Sequence, residues 1–135
     1  MRSPNVLIVD DSVEMREKVS RVLNQTEYRP SKVTEAKDGH DAIQKLSQDP
    51  TIDLILSDWN MPNMDGFTFL KSVRRMDKKV VFLMVTKEAA LGKIESALNE
   101  GADGYLVKPV NFNDLQRQLA SAFRRVSKRS KSIER

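Results

Sequence analysis

Apolar residues along this chain follow two alternating rhythms. Unbroken runs stand at 6–9 (Val-Leu-Ile-Val), within 52–57 (Leu54-Ile55-Leu56), at 80–85 (Val-Val-Phe-Leu-Met-Val) and at 105–107 (Tyr-Leu-Val). Continuous short runs of this kind suit strands buried on both faces, because a strand with one wet face would alternate. Residues 32–36 carry little apolar content and suit an edge strand. Between the runs, apolar positions recur at helical spacing: Met15, Val19, Val22 and Leu23; Ala42, Ile43 and Leu46; Phe67, Leu70 and Val73; Leu91, Ile94, Ala97 and Leu98; Leu115, Leu119, Ala122 and Phe123. Ser12 or Asp11 can cap the first helix, Asp49-Pro50 ends the second, and Gly101 closes the fourth. Five strands alternating with five helices imply right-handed crossovers and a mainly parallel sheet with helices on both faces. A closed barrel needs eight such units.

Each strand run but the edge one stops at a group with chemistry. Asp10-Asp11 follows the first run, Asp58 the central one, Thr86 the fourth and Lys108 the last. A parallel sheet places all these ends on one edge, where open α/β sheets bind their ligands. Three carboxylates brought together repel and raise one another's pKa unless a cation intervenes. Oxygen ligands with no His or Cys nearby favour Mg²⁺. With Lys108 as a second positive charge and Thr86 as a hydroxyl donor, the set describes a receptor for a phosphoryl group, and an Asp carboxylate can itself be the nucleophile. The glycines at 39, 66, 92, 101 and 104 form neither a phosphate loop nor a dinucleotide fingerprint. His40 reads as a surface residue, and Met61 and Met64 as loop packing.

Charge changes the picture at one end only. Residues 124–135 hold six basic side chains against Glu134, whereas the preceding 123 hold 17 basic and 18 acidic ones. The basic character thus belongs to a tail expected to be solvated rather than to contact nucleic acid or membrane. Without cysteine there are no disulfides or thiolate metal sites. With no signal-peptide pattern and no apolar stretch of spanning length, a soluble cytoplasmic protein is expected.

The segment Asp58-Trp59-Asn60-Met61-Pro62-Asn63-Met64-Asp65-Gly66, taken with Asp10-Asp11, Thr86 and Lys108-Pro109 in this order and spacing, resembles the receiver domain of two-component response regulators. It is most similar to the stand-alone chemotaxis members, and the likeness covers about residues 5–126. The resemblance implies a flavodoxin-like α/β fold with strand order 2-1-3-4-5 and a receiver domain over 1–126, while the basic tail over 127–135, without apolar periodicity and self-repelling, is expected to be disordered. It implies Asp58 as phosphoacceptor, Asp10, Asp11, Asp58 and the Asn60 carbonyl around Mg²⁺, and Lys108 on a phosphoryl oxygen. It also implies Thr86 and Tyr105 as the switch pair and a cis Lys108–Pro109 bond. A sensor histidine kinase would be the donor, with a flagellar motor switch protein or a phosphatase as further partners to a monomer. Such a protein catalyses only its own phosphorylation and slow dephosphorylation. Departures are Ser12, where the chemotaxis members carry an aromatic, Lys87, where the family favours a small residue, and the face of fourth helix, fifth strand and fifth helix, which is not a close match.

Three other readings compete, and of these the first stays open. A phosphorelay intermediate would share all this chemistry. A phosphohydrolase with an Asp nucleophile wants an acid two residues on, where Asn60 stands. A receiver half of a DNA-binding regulator needs a second domain, for which the twelve residues after Phe123 leave no room.

Overall fold

The computed structural model describes residues 3–76, 79–87 and 90–134, with side chains described as far as Val126. Its elements are β1 (Asn5–Val9), α1 (Val13–Asn24), β2 (Lys32–Ala36), α2 (Gly39–Gln48), β3 (Leu54–Asp58), α3 (Gly66–Arg75), β4 (Val81–Thr86), α4 (Leu91–Asn99), β5 (Gly104–Val107) and α5 (Phe112–Glu134). The strands form one parallel sheet in the order β2-β1-β3-β4-β5. The five-stranded, doubly wound expectation holds, with the polar strand β2 at an edge.

Side chains alternate across a strand, so each apolar run supplies two cores. Val6, Ile8, Leu54, Leu56, Leu83 and Val85 pack with Val19 and Leu23 of α1 and with Leu115, Leu119 and Phe123 of α5. Leu7, Val9, Ile55, Phe82 and Met84 face the other way, onto Ala42 and Leu46 of α2, Phe69, Leu70 and Val73 of α3, and Ala97 of α4. Each buried Leu or Phe contributes about 1.5–3 kcal/mol, so tertiary packing outweighs helix propensity in holding these short elements.

Helix ends follow their capping residues. Ser12, Asp38 and Asp65 each accept a hydrogen bond from the backbone N–H three residues on, at Met15, Asp41 and Thr68. α4 has no side-chain cap at Ala90, but its far end is closed tightly. There Gly101 takes φ +109, its N–H donates to Leu98, and the Ala102 N–H donates to Ala97. This two-bond closure needs a left-handed residue, which only glycine adopts without strain.

Three boundaries differ from the sequence expectation. The central strand covers Leu54–Asp58 rather than 52–57, and the fourth covers Val81–Thr86 rather than 80–85. Hydrogen bonds between Asn5 and Asp53 and from Val81 to Asp53 continue the ladder just outside β3, so its start is diffuse. α5 remains helical to Glu134, past the 126 expected to end the domain. The side chains of 127–135 lie outside the described residues.

On the side away from the strand ends, Arg74 ties α3 to its neighbours. Its guanidinium donates to the carbonyls of Val80 (2.8 Å) and Gly101 (2.7 and 3.0 Å) and pairs with Asp103 at 3.1 Å. Asp103 is buried and also accepts the Phe82 N–H at 2.9 Å. Removing Arg74 takes a charged partner from the buried Asp103 carboxylate and donors from two backbone carbonyls, a loss that is strongly destabilising. Arg74→Met should therefore lower the unfolding free energy by about 3 kcal/mol, read as a fall in the urea midpoint at unchanged slope. A loss under about 1 kcal/mol would mark the contact as a surface pair.

Candidate functional site

All carboxyl ends of the strands lie on one edge of the sheet. Val9 of β1 is opposite Ser57 of β3, and Asp58 is opposite Val85 of β4. One step beyond β1 comes Asp10, and one step beyond β5 comes Lys108. Asp10, Asp11, Asp58 and Lys108, grouped by the sequence pattern, and Asn60, implied by the resemblance, line a single cavity of about 370 Å³. Thr86 is buried at the adjacent strand end, opposite Val107, rather than on the cavity wall. Tyr105 lies outside it: half-buried opposite Met84, it lines a separate cavity of about 210 Å³ with Asp114, Arg117 and Gln118. His40 is exposed at the start of α2.

The Lys108 ammonium sits 3.0 Å from Asp10 Oδ2 and 3.3 Å from Asp58 Oδ2, with all three side chains under a tenth exposed. The Lys108 N–H donates to the Thr86 carbonyl at 2.8 Å, so the end of β5 stays fastened to that of β4. Lys108–Pro109 is cis, as the resemblance implied.

Asp10 is held at every polar group. Its N–H donates to the Ala36 carbonyl (3.1 Å), and its carbonyl accepts from Arg16 Nη1 (2.6 Å). Its Oδ1 accepts the Ser12 N–H (2.9 Å), and its Oδ2 accepts from Lys108. Asp11 is exposed and makes no hydrogen bond or ion pair among the described residues. Carboxylate oxygens of Asp10, Asp11 and Asp58 lie within 4.8 Å of one another. Burial pushes the Asp58 carboxyl above its ordinary 3.8, and the Asp10 carboxylate pushes the same way, against the opposing pull of Lys108.

These donors fit a hard divalent cation. They are oxygens of carboxylates, with no nitrogen or sulfur ligand among them, in a space large enough to keep water on the metal. One Lys108 charge cannot neutralise three carboxylates.

Several supporting residues escape the sequence pattern. Arg16 joins the Asp10 carbonyl to Glu35 of β2 (2.7 Å), and the only signal available was its place four residues after the Ser12 cap. Gly66 brings the loop after β3 back on itself, donating to the Trp59 carbonyl at 2.7 Å; a Cβ there would lie 2.1 Å from the Asp58 carbonyl oxygen. Asn63, in the left-handed region (φ 68), donates from its side chain to Asp38 at 2.9 Å and braces the same loop. Met61 and Met64 pack against the apolar core, as expected.

The geometry agrees with what the chain is similar to. The model of the response regulator receiver domain matches residues 6–120. "Two-component response regulator ORR3" of Oryza sativa subsp. indica is 37% identical over 84% of this chain and 86% of its own. The chemotaxis protein CheY4 of Vibrio cholerae is 38% identical, with TM-score 0.73 over 92% of this chain and 98% of that one. A chain of the CheX–CheY–BeF3–Mg²⁺ complex of Borrelia burgdorferi is 29% identical, with TM-score 0.81 over 90% of each. The chain belongs to the response regulator receiver domain family, and so to the two-component signalling proteins.

Proposed function

We propose that this receiver domain accepts a phosphoryl group on Asp58 from the phosphohistidine of a sensor kinase. The observation that carries the reading is the Lys108 ammonium lodged between Asp10 and Asp58, inside a cavity with three converging carboxylates. A carboxylate oxygen of Asp58 forms the new O–P bond while the donor's N–P bond breaks. The electron pair of that bond stays on the imidazole nitrogen, which leaves as neutral histidine once protonated. Lys108 meets the negative charge that gathers on the phosphoryl oxygens, and its fixed position means that little reorganisation is needed. Asp10, Asp11, Asp58 and the Asn60 carbonyl would hold Mg²⁺, which when bound supplies further neutralising charge. No carboxylic acid stands at residue 60 to protonate a leaving group, so the chain turns over nothing but its own aspartyl-phosphate. Support for both the metal and the phosphoryl group comes from the Borrelia complex, named with Mg²⁺ and BeF3.

In the same reading Thr86 follows the arriving group from the end of β4. Tyr105, near it on β5, passes the change to the surface formed by α4, β5 and α5. Leu91, Leu98 and Phe112 are exposed on α4 and α5 and would meet the next protein. The likeness to chemotaxis proteins supports a motility output, through a motor switch protein or a phosphatase. Among the described residues no helix is long and apolar enough to cross a membrane.

Incubation with a small phosphodonor and Mg²⁺ should add one acid-stable, base-labile phosphoryl group, and Asp58→Asn should abolish it. Labelling of that variant at the parent's level would move the acceptor elsewhere.

The raised Asp58 pKa has a consequence for stability. A carboxyl whose folded pKa exceeds its unfolded value stabilises the fold when protonated and loses that contribution as pH rises through the folded pKa. In EDTA at pH 7, Asp58→Asn should melt above the parent, and the gap should close as the pH is lowered through the raised value. Mg²⁺ should reverse the order, because 100-fold excess over Kd stabilises the parent by about 2.7 kcal/mol. A variant that melts at or below the parent in EDTA would show that the carboxylates do not strain the metal-free protein.

Asp11→Asn separates the metal from the phosphoacceptor. Because Asp11 is the exposed and unencumbered carboxylate, its loss should weaken Mg²⁺ about tenfold or more while raising the metal-free melting temperature. A fall in both would point to a structural role instead.

A further inference from the structure

Among the described residues, Lys87 is the one cation on the wall of the acidic cavity that the receptor described above leaves without a task. It follows buried Thr86 directly, its side chain is exposed, and its ammonium makes no hydrogen bond or ion pair among the described residues. Lys108 is the opposite case, buried and engaged with both Asp10 and Asp58. The two lysines thus border one space, one as a fixed floor and the other as a free arm at the mouth.

The charge in that space changes with occupancy. Asp10, Asp11 and Asp58 carry three negative charges and Lys108 one positive. A divalent cation brings the site to neutrality. Conversion of the Asp58 carboxylate to an acyl phosphate then replaces a single negative charge by nearly two, and the surplus lies on oxygens facing the mouth. We propose that Lys87 is a second phosphoryl-binding cation, recruited to the oxygens of the arriving group and idle before it. This rests on the reading of Asp58 as the acceptor. It makes Lys87 a residue for anion capture, distinct from Lys108, which is already committed in the resting protein.

The proposal has a sign that a packing role lacks. Toward Mg²⁺ alone Lys87 is a like charge and should oppose binding; toward a phosphoryl group it is an opposite charge and should favour it. Beryllofluoride, which bonds to a carboxylate oxygen in the shape of a phosphoryl group, separates the two steps. Trp59, the sole tryptophan, adjoins Asp58 and stacks on Phe67 at 5.3 Å, so its fluorescence can follow both titrations. Lys87→Met should tighten Mg²⁺ about twofold and, in saturating Mg²⁺, weaken beryllofluoride about fivefold. Lys87→Arg should keep both constants near those of the parent, and 0.5 M salt should shrink the beryllofluoride difference. If Lys87→Met binds beryllofluoride as the parent does, or if both constants move in the same direction, Lys87 is not a phosphoryl-binding cation. If the parent itself binds no beryllofluoride in Mg²⁺, the acceptor reading fails and takes this proposal with it.

Discussion

The Lys108 ammonium between two buried carboxylates is the contact on which the rest of the site depends. Asp10 and Asp58 end different strands, and Lys108 ends a third, so the contact exists only when β1, β3 and β5 are in register with β4 between them. Burial and the neighbouring Asp10 carboxylate raise the ionisation cost of Asp58. Lys108 relieves part of that cost and leaves the remainder as a standing attraction for cations. A site fully neutral in the resting protein would bind neither a metal nor, through it, a phosphoryl group. In the proposed function that residual imbalance is what draws the metal and the phosphoryl group, and the two apolar cores supply the stability that tolerates it.

Much of this was legible in the sequence because the parallel α/β architecture converts pattern into position. Apolar runs without alternation mark strands buried on both faces, and a shared direction sends all their final residues to one edge. Asp10, Asp58 and Lys108 could thus be grouped across nearly a hundred residues from their places alone. Strand order was not legible in the same way: any order of parallel strands brings those ends to one edge, so it rested on resemblance. α3 shows where periodicity misleads. The stripe Phe67, Leu70, Val73 has the right spacing at each step, yet the buried face is Gly66, Phe69, Leu70 and Val73. Spacing of three drifts around a helix of 3.6 residues per turn, while the combination of three and four keeps one face. Phe67 instead turns outward onto Trp59, with the Lys71 ammonium 4.7 Å over its ring.

What escaped the pattern is mostly arginine and backbone. Arg16 reaches the main-chain carbonyl of Asp10 and Arg74 those of Val80 and Gly101, and such acceptors carry no residue-type signal. The close passage of Gly66 against the Asp58 carbonyl is likewise invisible until the loop is seen to double back. Residue types announce the chemistry of a site. The groups that fix its geometry are chosen by distance and by the number of donors they carry, as with the three guanidinium nitrogens of Arg74.

The two ends of α4 are held unequally, and the inequality bears on where the site meets the surface. At its C-terminal end Gly101 supplies a two-bond closure, and the Arg74 guanidinium grips the Gly101 carbonyl. At its N-terminal end no side chain caps Ala90, and Leu91 is 70% exposed. Ala97 is the one residue of α4 in the buried core. From that N-terminal half the Lys93 ammonium reaches 5.4 Å over the Trp59 ring, in a contact worth about 0.5–1 kcal/mol at a surface. Trp59 follows Asp58 directly, and the first residues of α4 come soon after Lys87 on the cavity wall. The N-terminal turn of α4 thus meets the loop after Asp58 at an aromatic ring. The closure at Gly101 and the grip of Arg74 leave the exposed N-terminal turn as the less constrained end of α4.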